Sequence, residues 1–422
     1  MRYSVSSRIM TTAELETRIK SVGGKDVSGA RLVGQIFCEM DEEQAGALLR
    51  VPGIMVKELK NFIAHQAVAA PSVETVSDVF YLLRSYFSPP LTGTGLTVAV
   101  LDSGIRKSHE SLANKVVYEA NFTGSPGAGD VFGHGTQVAF MIAGGMHAEG
   151  SKAGVSPGAR LISIKVIDDG GLGNDESVIM GIDKVCQLAQ DARTKGLSPT
   201  DDLYPNVINI SFGGDDDGDT DNPVRAACRK AVEEFGLDVV AAAGNSGPKI
   251  NTITLPACEP DVIAVGALET LGELAIWDES SRGPTKRGET KPDFVMWGTD
   301  IEMASEASDS GYVTKSGTSF AAPMLSGLTG LLWESGRRAY GEGWPFSWIS
   351  ARDVAPYFCT KPLNAAINKD NTYGFGLPAM GIMLSQMMAP AATNSASTMG
   401  DMINAMMPFM MMAMIMPMAR IL

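Results

Sequence analysis

Two kinds of hydrophobic pattern divide the chain. Between residues 71 and 385, apolar runs rich in Val, Ile and Ala alternate with glycine-flanked helical segments. Continuous runs of this kind are typical of parallel strands that are covered on both faces. The clearest are LTVAVLD, ARLISIKVI, NVINISF, DVVAAAG and DVIAVGAL. The pattern predicts an α/β domain with a doubly wound, mostly parallel sheet and helices on both of its faces.

The first 66 residues follow a shorter pattern. RYSVSSRI alternates like a strand, and ARLVGQIFCEM and IMVKELKNF are apolar enough for two more. Two short helices lie between them. Thr11 and Asp41 precede these helices, with Glu14 and Gln44 three residues further on, which is the spacing of a capping box. The order strand, helix, strand, helix, strand predicts a small α+β unit.

Residues 386–422 read as a small-residue linker followed by an apolar tail. Fourteen of the 24 methionines lie between Met380 and Met418. As a helix, MINAMMPFMMMAMIMPM would reach roughly 25 Å, short of a ~30 Å hydrocarbon core, and two prolines interrupt it. We expect the tail to pack against the protein itself or a second subunit. Attachment to a membrane surface or a partner, a spanning helix and soft-metal binding are the alternatives.

Charge and cysteine content narrow the possible partners and compartment. Lys and Arg number 34 against 48 acidic residues, a net charge of −14 that argues against nucleic-acid partners. The five cysteines match no metal or disulfide spacing, so we expect small buried residues in a reducing compartment. The N-terminal segment has no apolar signal region, which favours a cytoplasmic over a secreted protein.

Three segments place a reactive side chain at the end of a strand or the start of a helix. Asp102 ends the strand in VAVLDSGI, His134 opens a helix in GHGTQVAFMIAG, and Ser319 opens another in SGTSFAAPM. A serine hydroxyl needs a base to take its proton; histidine can do so near neutral pH, and a buried carboxylate fixes its tautomer. Each residue alone could be a structural cap, but one mechanism needs all three. They are therefore predicted to form a catalytic triad.

A fourth segment, VVAAAGNSGP, supplies a candidate oxyanion donor. Asn245 follows a strand and a glycine, so its side-chain amide could donate to the negative oxygen of a tetrahedral intermediate. The backbone N–H of Ser319 is the second candidate, because the first amides of a helix have no partner within the helix. A turn residue in the left-handed conformation is the structural alternative for Asn245.

The blocks DSGI, HGTQVA, GNSGP and GTSFAAP resemble the signature blocks of the subtilisin family, in the same order. SSRGPTKRGETKPDF is similar to a segment that precedes the serine block in that family. The resemblance covers about residues 71–385. It implies a subtilisin-like fold and a serine endopeptidase that works through an acyl-enzyme and needs no cofactor or metal for its chemistry. A catalytically inactive scaffold that binds partners through its groove and tail, or an esterase or peptide ligase, are the alternatives.

The resemblance also implies where a protein or peptide substrate binds. In subtilisins the peptide adds as a strand between two edge segments. The matching positions here are Gly171, Leu172 and Gly173 on one side and Ser211, Phe212, Gly213 and Gly214 on the other. The walls of the S1 pocket would be the second segment together with Ala242, Ala243 and Gly244, with Thr254 near the base. Because these walls are small and uncharged, we expect a large apolar or aromatic P1 residue.

By the same resemblance, residues 1–66 are a ferredoxin-like pro-domain. Such a pro-domain helps the catalytic domain to fold and then inhibits it. A folding template makes physical sense because the contacts of a parallel sheet are distant in sequence. We expect self-cleavage between about His65 and Pro71. A permanently attached accessory domain is the alternative.

Some positions depart from the family pattern or fall outside it. Gln137 and Met324 stand where histidines are common, and Met296–Trp297 replaces Ala-Pro. None carries the proton relay, so we expect effects on helix packing or the groove alone. The stretch Asp215–Asp221 holds five carboxylates in seven positions. We expect a solvated acidic loop; a structural calcium ion and selection of basic substrates are the alternatives.

Overall fold

The structure, a computed structural model, describes residues 1–379 except 8, 31–33, 60, 64–79, 81–82, 85–86, 146–152, 270–273, 342–345, 354, 363–364 and 367. The expected maturation segment and the methionine-dense tail therefore lie outside the described residues. Within the described part of the chain, none of the helices combines the length and the apolar character that a bilayer span requires.

The N-terminal unit is a four-stranded antiparallel sheet with two helices. Its elements are β1 Arg2–Ser7, α1 Thr12–Ser21, β2 Lys25–Ala30, β3 Gln35–Glu39, α2 Glu42–Leu49 and β4 Ile54–Glu58, followed by β5 Asn61–Ile63. The strands lie in the order β2-β3-β1-β4. Both capping boxes form, which confirms the two helix starts. Strand β2 was not predicted, because KDVSGA is too polar to read as a strand, and the predicted last strand is divided into β4 and β5.

The remaining elements build the central domain. They are β6 Thr97–Asp102, β7 Val116–Asn121, α3 His134–Ala143, β8 Arg160–Lys165, β9 Leu172–Asn174, α4 Asp175–Thr194, β10 Val207–Ile210, α5 Pro223–Glu233, β11 Asp238–Ala242, β12 Ile263–Leu268, β13 Phe294–Trp297, β14 Ile301–Ala304, β15 Tyr312–Lys315, α6 Thr318–Tyr340, α7 Trp348–Ala351, β16 Cys359–Thr360 and β17 Leu377–Pro378. Single turns of 3₁₀ helix lie at Glu110–Leu112 and Ala355–Tyr357.

Seven of these strands form one parallel sheet, in the order β13-β12-β11-β10-β6-β8-β7. In β6, Val98 and Val100 belong to the apolar core that includes α3 and α6. Ala99 and Leu101 belong to the opposite core, with α4 and α5. The sheet is thus covered on both faces, which confirms the predicted doubly wound α/β fold. Strand order reverses around β6, and ligands of such folds bind beyond the carboxyl ends of the strands.

The N-terminal unit packs against α4 and α5 of the central domain. Ala30 and Phe37 are fully buried in the same core as these two helices. Arg2 forms an ion pair with Glu176, and the Ser28 hydroxyl donates to the same carboxylate at 3.0 Å. The unit is therefore held by a small apolar centre with polar contacts around it.

Candidate active site

Asp102 and His134 meet at the carboxyl end of the sheet. Asp102 is the last residue of β6 and fully buried, and His134 is the first residue of α3. Nδ1 of His134 lies 2.9 Å and 3.0 Å from the two carboxylate oxygens of Asp102. This contact favours the tautomer with the proton on Nδ1 and leaves Nε2 free to act as a base. Nε2 is buried and has no hydrogen-bond partner among the described residues.

Close backbone approach makes this contact possible. A Cβ at Gly135 would lie 2.1 Å from the carbonyl oxygen of Gly104 and 3.1 Å from Cβ of Asp102. Any larger residue at position 135 would therefore push α3 away from the strand that carries the carboxylate.

Ser319 is the second residue of α6 and 5% exposed. Its hydroxyl donates to the carbonyl oxygen of Ser211 at 2.6 Å. The next residue, Phe320, lies beside the imidazole of His134, with 5.9 Å between the ring centroids. The structure thus brings Ser319 into the neighbourhood of His134 but directs its proton to a backbone carbonyl. The O–H bond must turn away from the Ser211 carbonyl before Nε2 can take the proton.

Asn245 lies against the same helix start. Its Oδ1 accepts from the Thr318 backbone N–H at 3.0 Å and from the Thr318 hydroxyl at 2.7 Å. With the oxygen held in this way, Nδ2 faces the turn before Ser319, where a Cβ on Gly317 would lie 3.3 Å from it. The amide is therefore oriented with a donor beside the candidate nucleophile, as an oxyanion site requires.

The predicted substrate groove lies between β9 and the segment after β10. Gly171, Leu172 and Gly173 form or border β9, and Ser211 to Gly214 follow β10. Cβ atoms at Gly171 and Gly173 would lie 2.4 Å from the Phe132 ring and 2.5 Å from Ile167. Glycine keeps this edge close to the underlying residues, while the Leu172 side chain is 54% exposed.

Strand β5 of the N-terminal unit occupies this groove edge. It pairs antiparallel with β9, with Asn61 opposite Asn174, Phe62 opposite Gly173 and Ile63 opposite Leu172. An antiparallel strand on this edge is the arrangement expected of a bound peptide. The register places Ile63 opposite Leu172, so β5 runs in the direction of Gly171, which lies beside Phe132 in the loop before His134.

Thr254 lies between the two predicted walls of the S1 pocket. A Cβ at Gly213 would lie 2.5 Å from its hydroxyl oxygen, and one at Gly244 would lie 2.7 Å from its methyl carbon. The hydroxyl donates to the Ala243 carbonyl at 3.2 Å. Ala242 and Ala243 themselves are buried behind the wall. Thr254 is thus a fixed, uncharged side chain at the predicted base of the pocket.

The acidic stretch Asp215–Asp221 is only partly a solvated loop. Asp216 is buried and pairs with Arg225 at 2.6 Å, and Asp219 forms an ion pair with Lys57 of the N-terminal unit. Burial opposes the shift, but backbone hydrogen bonds from Gly218 and Lys286 together with Arg225 hold the pKa of Asp216 below its ordinary value. Lys57 does the same for the pKa of Asp219. Because these carboxylates are directed at cations, they do not converge as calcium ligands. The described residues contain no metal-holding group of His, Cys, Asp or Glu.

The residues that depart from the family pattern are buried inside the protein. Gln137 is buried and donates to Glu306 at 3.4 Å, and Met324, Met296 and Trp297 belong to the apolar core. All five cysteines are unpaired, and burial raises the pKa of Cys38 to about 11 and that of Cys186 to about 12. The expectation of small buried residues is confirmed for four of the cysteines; Cys359 is partly exposed.

Comparison with known proteins shows which sequences the chain is similar to. The sequence model described as the subtilase family matches residues 93–376. The chain is 33% identical over 264 residues to the serine protease AprX of Bacillus subtilis (strain 168), covering 57% of this chain and 58% of that protein. It is 31% identical over 332 residues to subtilisin E of the same strain, covering 76% of both chains. The chain thus spans little more than half the length of AprX.

Among solved structures, the chain is similar to sphericase. The TM-score is 0.56 at 29% identity, and the match covers 68% of this chain and 92% of that one.

Proposed function

Because the chain belongs to the subtilase family, we propose that it is a serine endopeptidase made as a self-processing zymogen. The observation that carries the proposal is the contact of 2.9 Å between His134 Nδ1 and Asp102, with Nε2 left unpartnered near Ser319. A base without a partner, next to a serine at a helix start, is the arrangement that activates a hydroxyl.

In the proposed reaction, Nε2 of His134 takes the hydroxyl proton as Ser319 Oγ attacks the peptide carbonyl. Asp102 steadies the imidazolium, and Asn245 Nδ2 with the Ser319 backbone N–H donates to the oxyanion. The imidazolium then gives its proton to the leaving amine, which departs with the C-terminal part of the substrate. Water, activated by the same histidine, releases the acyl group and restores the serine. No cofactor is needed for any of these steps.

We also propose that the N-terminal unit is the inhibitor. Its support is the pairing of β5 with β9, which covers the edge that a substrate strand would use. The direction of β5 leads towards the loop before His134, which agrees with maturation between about His65 and Pro71. The inactive-scaffold alternative is not favoured, because every residue that the reaction requires is present.

The test is the fate of the full-length chain with Ser319→Ala. We expect the wild-type chain to release an N-terminal fragment ending between residues 65 and 71 and then to hydrolyse a peptide substrate. The Ser319→Ala chain should do neither. N-terminal sequencing reports the first result, and peptide hydrolysis reports the second. Processing by the Ser319→Ala chain would contradict the zymogen proposal, and its hydrolysis of peptides would contradict the nucleophile.

The compartment is a separate proposal. We propose that the protein works under reducing conditions, supported by its five unpaired cysteines, four of them buried. Fractionation of the cells that make the protein would test this: recovery in the cytoplasmic fraction is expected, and recovery only in the medium would contradict it.

A further inference from the structure

The geometry points to Asp130 as a positioning residue that fixes His134 relative to Asp102. Its carboxylate connects the residue after Asp102 with the backbone on both sides of His134. The inference rests on the proposed function, because it concerns how that site is held.

The Asp130 carboxylate is 8% exposed and accepts four hydrogen bonds. Oδ1 accepts from the Ser103 hydroxyl at 2.9 Å and from the Gly133 N–H at 2.8 Å. Oδ2 accepts from the N–H and the hydroxyl of Thr136, at 2.8 Å and 2.6 Å. Gly133 and Thr136 flank His134 at the start of α3, so this one side chain caps the helix that carries the proposed base.

Ser103 completes the connection to the aspartate of the site. Its backbone N–H donates to Asp102 Oδ1 at 2.7 Å, and its hydroxyl accepts from the Gly135 N–H at 2.9 Å. The path from Asp102 through Ser103 to Asp130 and on to α3 therefore consists of short hydrogen bonds. Asp102 and His134 are joined by this path as well as by their own contact.

A buried cation fixes the backbone of the same two segments. Lys165 is fully buried, and its Nζ donates to the carbonyl of Ser103 at 2.5 Å and to that of Gly129 at 3.1 Å. Ser103 is a member of the hydrogen-bond network described above, and Gly129 directly precedes Asp130. The loops that carry Ser103 and Asp130 are thus held at two points, one through side chains and one through backbone.

The Asp130 carboxylate accepts from four donors, and this number determines which variant tests its role. An asparagine has one acceptor oxygen and an amide that can only donate. In Asp130→Asn, the amide group would face one backbone N–H and one hydroxyl, so the N–H loses its acceptor and the hydroxyl can keep a hydrogen bond only by accepting instead of donating. The cap would loosen without any loss of volume, which separates the effect on position from an effect on packing.

The experiment compares Asp130→Asn with Asp238→Asn in the mature enzyme. Asp238 is also a buried carboxylate that accepts from a serine hydroxyl, Ser347 at 2.5 Å, and from a helix-start N–H, that of Trp348 at 2.8 Å. It lies at the opposite, amino-terminal end of β11. The two variants therefore remove the same kind of cap, near the site and far from it.

For Asp130→Asn we expect kcat per titrated active site to fall on the order of 10²-fold with KM within about twofold, because small displacements of reacting groups cost that much. The low-field proton NMR signal of His134 Nδ1–H should broaden or move. Asp238→Asn should lower the melting temperature and leave both kcat and this signal unchanged. Ser103→Ala and Thr136→Val, which each remove one donor, should give intermediate losses of kcat.

An Asp130→Asn enzyme with wild-type kcat and an unchanged NMR signal would overturn the inference. If that variant does not fold, Ser103→Ala and Thr136→Val test the inference instead. A wild-type kcat and an unchanged NMR signal in both of these variants would also overturn it. A wild-type enzyme without peptidase activity would instead contradict the proposed function, and the NMR signal can be measured in either case.

Discussion

At the scale of single residues, the direction of the Asn245 amide is decided by Thr318. Two hydrogen bonds from Thr318 hold Oδ1 and leave Nδ2 as the donor near Ser319. Asn245→Ala should lower kcat about 10²–10³-fold with little change in KM, the range measured for such donors, a subtilisin among them. Steady-state hydrolysis of a peptide substrate measures this. If Asn245→Ala weakened the binding of a substrate-like inhibitor by the same factor as it lowered kcat, an oxyanion role for Asn245 would be contradicted.

Thr254 should set the depth of the S1 pocket. Its side chain fills the space between Gly213 and Gly244. Thr254→Gly should therefore raise kcat/KM for Phe and Tyr at P1 relative to Ala and Val, by about ten- to a hundredfold for a few added carbons. A peptide series that varies only P1 measures the ratio. Thr252→Gly, two residues away and outside the pocket walls, is the control, and an equal change there would refute the assignment.

The residues that sequence alone could identify are those with a strong local setting. Asp102, His134 and Ser319 end apolar strands or open helices, so their positions stand out. Asp130 does not, because it lies in a loop of glycines and its role depends on Ser103, which is distant in sequence. Its place four residues before His134, ahead of a helix, was the one signal that could have indicated a cap.

At the scale of elements, an ion pair joins the acidic loop to β4 of the N-terminal unit. Lys57 of β4 pairs with Asp219, and the two side chains are 37% and 31% exposed. A pair so exposed contributes about 0–1 kcal/mol, and salt weakens it. After self-cleavage, Asp219→Asn should release the N-terminal unit up to about fivefold faster at low salt and equally fast at high salt.

The time course of peptidase activity after cleavage measures this release. A charge swap, Lys57→Asp with Asp219→Lys, should restore slow release if the pair itself is responsible. Slow release in Asp219→Asn at every salt concentration would show that the pair does not hold the unit.

Elements were predictable where their pattern is local. Most of the parallel strands are continuous apolar runs with both faces buried, although the half-exposed edge strand β7 is not, and the two capping boxes fix helix starts within a few residues. By contrast, the pairing of β5 with β9 joins segments more than a hundred residues apart, and nothing within either segment specifies it. Short strands such as β14 and β15 depend in the same way on their partner.

At the scale of the whole molecule, Asp293 joins the C-terminal segments to the sheet. It is fully buried and accepts from the Ala264 N–H at 2.8 Å, from Lys291 at 2.7 Å and from Lys369 at 2.7 Å. Burial alone would raise the pKa of Asp293, but Lys291, Lys369 and Arg352 together hold it well below its ordinary value. The charged carboxylate therefore stabilises the fold.

The pH dependence of the free energy of unfolding follows from the lowered pKa of Asp293. A carboxyl whose pKa is lower in the folded state stabilises above about pH 4 and loses that contribution as the pH falls further. Asp293→Asn should cost about 3–5 kcal/mol near neutral pH, because it leaves buried cations unpaired. The difference between the variant and the wild type in the free energy of unfolding should shrink below about pH 4.

Urea unfolding across this pH range measures the difference in the Ser319→Ala background. Asp278→Asn, whose side chain is 87% exposed, is the control. A cost that stays constant with pH would contradict the account.

The central claim is that Ser319 is the nucleophile and His134 its base. A fluorophosphonate probe with mass-spectrometric mapping of the labelled peptide tests it most directly in the mature enzyme. We predict one label, on Ser319, that disappears in Ser319→Ala, slows by orders of magnitude in His134→Ala and persists in Ser335→Ala, a buried serine further along α6. A label on another residue, or labelling of the Ser319→Ala enzyme, would contradict the account.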